Sequence, residues 1–142
     1  MTIAAILAGK GRDVISVTAH QSLGEAAALL AERRIGAVPV MDGTQVIGIF
    51  SERDVIHALS SHGAAALDRT VGDVMTAPAI TVGPAEAVIG ALSLMTRRRI
   101  RHLPVVEDGR VIGLVSIGDL VKYRIDRIEA DAEAMRSYIQ SA

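Results

Sequence analysis

Two short stretches hold the residue types that could do chemistry. One is Gly48…Ser51…Asp54; the other, 65 residues further on, is Gly113…Ser116…Asp119. In each, an apolar β-like run ends at the serine and a helical pattern begins there. A helix start offers backbone N–H groups without intrahelical partners and the positive end of the helix dipole, which favours an anion such as phosphate. The serine hydroxyl can join those groups. The aspartate, three residues on, lies one turn into the helix on the same side, where a carboxylate can accept two neighbouring hydroxyls. A second reading needs no ligand: serine as N-cap and aspartate as its N3 partner make a capping-box variant. The residues alone leave both open.

Other chemistries find less support. His20, His57 and His62 lack the spacing of a metal site. Ser51, Asp54 and His57 could be enlisted as a hydrolase, but they share one helix start and have no Gly-x-Ser-x-Gly elbow. No catalytic residue and no metal are therefore expected. The chain has no cysteine, which excludes disulfides, thiol nucleophiles and Cys-based metal sites. Its 142 residues are half apolar, with a net charge of −1 and a pI near 6.4. That balance describes a packed protein without an electrostatic footprint for nucleic acid. The aromatics are only Phe50, Tyr123 and Tyr138, too few for base-stacking platforms. Arg97-Arg98-Arg99 with Arg101 is a local basic cluster that reads as a solvated face, or as a surface for phosphates or an acidic partner helix. No apolar run approaches a membrane span, and Met1–Ala8 lacks the basic flank of a signal peptide. The expected compartment is the cytoplasm.

The elements that must position the two motifs are themselves duplicated. Shifted by 65 residues, Val14–Ala58 lies on Ala79–Tyr123 without a gap, and 14 of the 45 positions are identical. Most matches are apolar and need only report a shared core. Arg33/Arg98, Arg34/Arg99, Pro39/Pro104, Gly48/Gly113, Ser51/Ser116 and Asp54/Asp119 are not demanded by one. Each copy begins with a short strand, Val14–Val17 or Ile80–Val82. A helix follows, with Leu23, Ala26, Ala27 and Leu30, or Val88, Ala91, Leu92 and Met95, at helical spacing. Ser22 is placed to cap the first; Pro84 and Glu86 are expected in the opening turn of the second. Two apolar runs then flank Asp42-Gly43 or Asp108-Gly109, which predicts a β-hairpin. A second helix opens at Ser51 or Ser116. Each unit is β-α-β-β-α, too small to be stable alone, so the two are expected to pack sheet to sheet. Ser60–Thr70 reads as a linker ending in a short helix, Val71–Met75. The tail is amphipathic, with Ile125, Ile128, Ala132, Met135 and Ile139 near one face, and is expected to pack on a neighbouring subunit or to cap the pair.

This arrangement resembles the tandem CBS-domain module, a pair of cystathionine-β-synthase-type domains, in its stand-alone bacterial form. The residues that carry the resemblance are Arg34-Ile35-Gly36-Ala37-Val38-Pro39-Val40 with Val46–Asp54, and Arg99-Ile100-Arg101-His102-Leu103-Pro104-Val105 with Val111–Asp119. Asp73-Val74-Met75-Thr76 looks like the family's linker signature. The resemblance implies an α/β (α+β) fold of two repeats related by a pseudo-twofold axis. Residues 1–62 would be the first domain, 63–124 the second with 63–75 leading in, and 125–142 a separate helix.

The resemblance also implies a function: a regulatory sensor of adenosine nucleotides that signals by conformational change. AMP, ADP, ATP or NAD(H) are expected ahead of S-adenosylmethionine. Two modules would associate as a disc-shaped homodimer read by an unidentified downstream protein. In the family's geometry the clefts cross between repeats. One would take Arg101, His102, Leu103 and Pro104 with Ser51, Arg53 and Asp54. The other would take Ile15, Gly36, Ala37, Val38 and Pro39 with Ser116, Ile117 and Asp119, and Lys10 or Arg12 could reach it. Ile80 would line an adenine pocket, as Ile15 does; Thr76 and Pro78 complete the set. The Ser51 cleft holds Arg53 and Arg101 where the Ser116 cleft has Gly118 and Gly36, so the Ser51 cleft is expected to favour the more highly charged group. The competing reading is a ligand-independent homodimeric scaffold with vestigial clefts, acting through its C-terminal helix.

Overall fold

The computed structural model describes residues 1–141. The chain opens with α1 (Ile3–Lys10), then β1 (Val17–Thr18), α2 (Leu23–Arg33), β2 (Ala37–Asp42), β3 (Gln45–Ser51) and α3 (Glu52–His62). A 3₁₀ turn (Gly63–Asp68) and the short α4 (Val71–Val74) lead to α5 (Val88–Arg98), β4 (His102–Glu107), β5 (Arg110–Ser116) and α6 (Ile117–Ser141).

The duplication extends to hydrogen-bond register. β2 pairs antiparallel with β3, Ala37 opposite Ser51 and Val40 opposite Gly48. β4 pairs with β5 in the same way, His102 opposite Ser116 and Val105 opposite Gly113. Each hairpin has its irregularity at the same place, after Val40 and after Val105. The turns are two residues long, Gly43-Thr44 and Asp108-Gly109. Asp108 and Gly109 both have positive φ (52° and 76°), as a type I′ turn requires. The first strands are weaker than expected. β1 spans only Val17–Thr18, parallel to β2, and the expected Ile80–Val82 strand is reduced to one bridge, Val82 to Val105. The sheets approach one another through β3 and β5.

The caps follow the sequence in one repeat and depart from it in the other. The Ser22 hydroxyl accepts from Glu25 N–H (3.1 Å) and opens α2 as expected. α5 starts at Val88 behind an uncapped Ala87, so Pro84 and Glu86 lie in the preceding turn and not in its first turn. Their carbonyls serve α1 instead: Ala4 N–H donates to Pro84 and Ile3 N–H to Glu86, both at 2.9 Å. Two orphan donors of α1 are satisfied this way.

That docking redraws the domain division. Ile3, Ile6 and Leu7 belong to the second repeat's core, with Val88, Met95, Leu103 and Leu120. The segment read as a linker belongs to the first core, which buries Ala66 and Val71 beside Leu23, Val38 and Phe50. The cores therefore do not follow a division into 1–62 and 63–124. The expected break before the C-terminal helix is also absent, because α6 runs unbroken from Ile117 to Ser141.

Both motif glycines mark where a crossing segment lies on a strand. A Cβ at Gly113 would come within 2.5 Å of Leu7 Cδ2 from α1. At Gly48 it would meet Met75 Sδ at 2.7 Å and the Thr76 carbonyl at 2.9 Å. A larger residue at Gly48 would have to displace the Thr76 backbone, whereas one at Gly113 would have to displace the end of the Leu7 side chain.

Candidate functional site

Two clefts open between the repeats. A cavity of about 340 Å³ is lined by Asp13 to Ile15 and Arg34 to Ala37 on one side, and by Lys10, His102, Leu114, Ser116 and Asp119 on the other. The second, about 600 Å³, joins Ile49, Ser51 to Asp54, Ile56, His57 and Thr76 to Arg98 through His102, with Gly36 at its edge. Each falls within the size of small-molecule sites. Each helix start of one repeat faces the strand start of the other, which is the crossed arrangement the resemblance implies.

The helix starts are capping boxes. The Ser51 hydroxyl accepts from Asp54 N–H (3.4 Å) while Asp54 Oδ2 accepts from Ser51 N–H (2.9 Å). Ser116 and Asp119 repeat this at 3.1 Å and 2.8 Å. The first helical N–H groups are also used: Glu52 donates to Gly36 (3.0 Å) and Ile117 to Arg101 (2.8 Å). The backbone N–H groups of Arg53 and Gly118 have no partner among the described residues. Arg53 lines the larger cleft but Gly118 does not line the smaller, so the clefts meet fewer open amides than the motif suggested.

The two aspartates differ in their outer partner. Thr76 Oγ1 donates to Asp54 Oδ1 (3.0 Å), and Thr76 pairs through its backbone with Ile49 at 2.9 Å in both directions. In the other repeat Lys10 takes this place, its Nζ bonding Asp119 Oδ2 (2.5 Å) and the Leu114 carbonyl (2.8 Å). Asp54 meets a neutral hydroxyl; Asp119 meets a cation. Burial pushes the Asp119 carboxyl up, but the Lys10 hydrogen bond, the Ser116 backbone N–H and the Lys10 charge together hold it below its ordinary value. Asp119 Oδ1 has no partner among the described residues.

His102 stands at the junction and lines both clefts. Gly36 lies beside it: a Cβ there would touch the imidazole, 3.4 Å from Cε1 and Nε2. Burial lowers the His102 pKa and the Lys10 charge lowers it further, against the upward pull of Asp119 and Glu52.

The model of the CBS-domain family matches residues 11–61 and 71–126. The chain belongs to the CBS-domain family. Its structure is similar to that of the CBS-domain protein ATU1752 from Agrobacterium tumefaciens, with 42% identity, a TM-score of 0.85, and coverage of 87% of this chain and 99% of that one. Two ligand-bound CBS structures also match, each at 27% identity. PAE2072 from Pyrobaculum aerophilum, complexed with AMP, matches with a TM-score of 0.75 over 84% of this chain and 89% of that one. The CBS pair of MJ0100, in complex with 5′-methylthioadenosine and S-adenosyl-L-methionine, matches with a TM-score of 0.77 over 87% and 98%.

Within this CBS pair, Lys10, Ile15, Gly36, Ala37, Ser116, Asp119 and His102 line the smaller cleft, and Ser51, Arg53, Asp54, Thr76, Arg101 and His102 the larger. Seven other expected residues do not line either. Val38 and Leu103 are fully buried in the two cores, and Pro39 and Pro104 are interior to β2 and β4. Ile80 packs on the second core. Ile117 and Pro78 are exposed away from the lining. Strand alternation explains Val38 and Leu103: each follows a cleft-lining residue and points into its repeat's core. Arg12 is exposed off the lining, so of the two basic residues Lys10, at the end of α1, reaches the smaller cleft. Arg34 lines the smaller cleft, and Arg98 and Arg99, read as a solvated face or a phosphate surface, line the larger. Arg34 and Arg99 end their helices in the left-handed conformation (φ 53° and 54°).

Proposed function

We propose that this CBS pair is a regulatory module that binds adenosine-type ligands in its two clefts and signals through the angle between its repeats. The observation that carries the reading is the crossed construction: each cleft joins the capped helix start of one repeat to the strand start of the other. A ligand spanning that seam has differential affinity for two relative positions of the repeats, which is what shifts a conformational equilibrium. The AMP in PAE2072 and the adenosyl ligands in MJ0100 support an adenosine half in the same kind of cleft.

The clefts would divide the ligands by charge. The larger gathers Arg53, Arg98, Arg99 and Arg101 against Glu52 and Asp54, and suits a di- or triphosphate. The smaller balances Lys10 and Arg34 against Asp13 and Asp119, and suits AMP or the adenosyl half of NAD(H). S-adenosylmethionine, with no phosphate, would leave the larger cleft's arginines unmatched. The module would act without catalysis, in the cytoplasm, as a homodimer.

The test is mass spectrometry of whatever small molecule co-purifies, followed by calorimetry and thermal shift with AMP, ATP, NAD(H) and S-adenosylmethionine. Saturation at 100 times Kd adds about 2.7 kcal/mol of stability. Loss of one ligand equivalent in Asp54→Ala and of the other in Asp119→Ala assigns the clefts. A protein that purifies empty and ignores all four compounds overturns the reading in favour of a scaffold. The exposed apolar face of α6 supports that second reading.

A further inference from the structure

The start of α6 is held by the body of the protein, with Leu120 fully buried and Tyr123 packed on the second core. Val121 turns away, and from there apolar residues recur at alternating spacings of four and three: Val121, Ile125, Ile128, Ala132, Met135 and Ile139. This is a heptad seam, with Ile125, Ala132 and Ile139 at a and Val121, Ile128 and Met135 at d. The seam is about 27 Å long at the helical rise. It lies in solvent: exposure is 42% at Val121, 54% at Ile128 and 65% at Ile139. Every residue from Arg124 to Ser141 is exposed, so within one chain the helix neither caps the pair nor packs on it.

The charges flanking the seam say what covers it. Arg124 and Asp131 occupy g, and Glu129 and Arg136 occupy e. When two such helices lie parallel and in register, each g residue faces the e residue of the next heptad across the seam. Arg124 then meets the partner's Glu129, and Asp131 meets the partner's Arg136. Both pairs attract, and symmetry doubles them. An antiparallel pair with the same core overlap sets Glu129 against the partner's Glu129, Asp131 against the partner's Asp131 and Lys122 against the partner's Arg136. All three contacts repel. Within its own chain Arg136 has only an exposed contact to Glu133 at 3.6 Å, worth little.

We infer that residues 121–139 of α6 pair with the same segment of a second copy as a parallel, in-register, two-stranded coiled coil. A closed twofold pair is the commonest way for identical chains to cover one surface. Because α6 continues the second repeat, a parallel seam sets the second repeats of the two copies side by side.

The chain's lack of cysteine makes the test direct. In the full-length protein, Met135→Cys places one thiol at d, where a parallel register brings the two copies within disulfide reach. Ser137→Cys places it on the outward f position. Under mild oxidation at low protein concentration, Met135→Cys is expected to form an intersubunit disulfide nearly completely and Ser137→Cys very little. Arg136→Glu added to Met135→Cys should slow the reaction severalfold, and adding Asp131→Arg should restore it. Sedimentation should give two chains per particle. No disulfide at 135, equal reaction at 135 and 137, three chains per particle, or a charge reversal without effect would each overturn the inference.

Discussion

Replacing Lys10 by methionine keeps the apolar stem and removes the charge that sits on Asp119. Lys10 and Asp119 are both partly solvated, with side-chain exposures of 40% and 27%, so their Coulomb attraction is screened. The loss at pH 7 is therefore about 0.2–1 kcal/mol, the range for solvated pairs. With unfolding entropy near 2.1 cal/mol/K per residue, that is roughly 1–3 °C in Tm. The pH dependence is the sharper signature. The Asp119 pKa is lowered in the folded state, so its contribution is present above the unfolded value and is lost as pH falls through the folded one. The His102 pKa is also lowered, so folding loses stability as pH falls below the ordinary histidine value of 6.5. Lys10 lowers both. In Lys10→Met both groups should titrate higher, so the variant gives up less stability between pH 7 and pH 3 than the parent. The gap between the two proteins should narrow below about pH 6.5, and again as Asp119 is protonated. Urea unfolding across that range, with NMR titration of the His102 ring and the Asp119 carboxyl, measures it. A gap that stays constant from pH 7 to pH 3, or two unmoved titrations, would refute the electrostatic account and leave only the bond to Leu114.

Three other outcomes follow from the geometry. Gly113→Ala should cost about 1–3 kcal/mol by overpacking against Leu7, and Gly48→Ala should fall at the upper end because it meets the Thr76 backbone carbonyl. Denaturant melts of both, with a Leu7→Ala cycle showing non-additivity at Gly113 only, would check this. Arg101→Ala should weaken ATP binding by at least tenfold while leaving the AMP equivalent of the smaller cleft intact, as read by calorimetry. Ser22→Ala should cost about 1 kcal/mol, since its hydroxyl is the only side-chain cap of α2; thermal melts measure it.

The repeat and its hairpins were legible because duplication leaves a register that sequence displays directly; the crossing of the clefts came only from the family resemblance. Gly48 and Gly113 marked the strand positions that must stay bare, although not what would lie on them. Three things were hidden for physical reasons. α1 is apolar on nearly every side, so its pattern named no face, and its partner surface lies about a hundred residues away. Pro84 and Glu86 carry the composition of a helix start but spend their carbonyls on α1. The Ser–x–x–Asp motif suits a cap and a ligand site equally, and the structure uses it as a cap while leaving it on the cleft wall. Arg98 and Arg99 were visible as repeat matches and as part of a basic cluster, but a solvated helix end and a cleft wall call for the same residue types, so their place in the larger cleft stayed open.

The docking of α1 on the second core has a consequence for how the protein is made. α1 is synthesised before Val88, Met95, Leu103 and Leu120, which bury it. At typical elongation rates the lag is on the order of 10 s. Through that interval Ile3, Ile6 and Leu7 have no native surface to cover them, while the first repeat can already close around Phe50. The nascent chain thus exposes an apolar segment available to chaperones until the second core emerges, and slowing translation between residues 50 and 120 should lengthen that exposure without changing the finished fold.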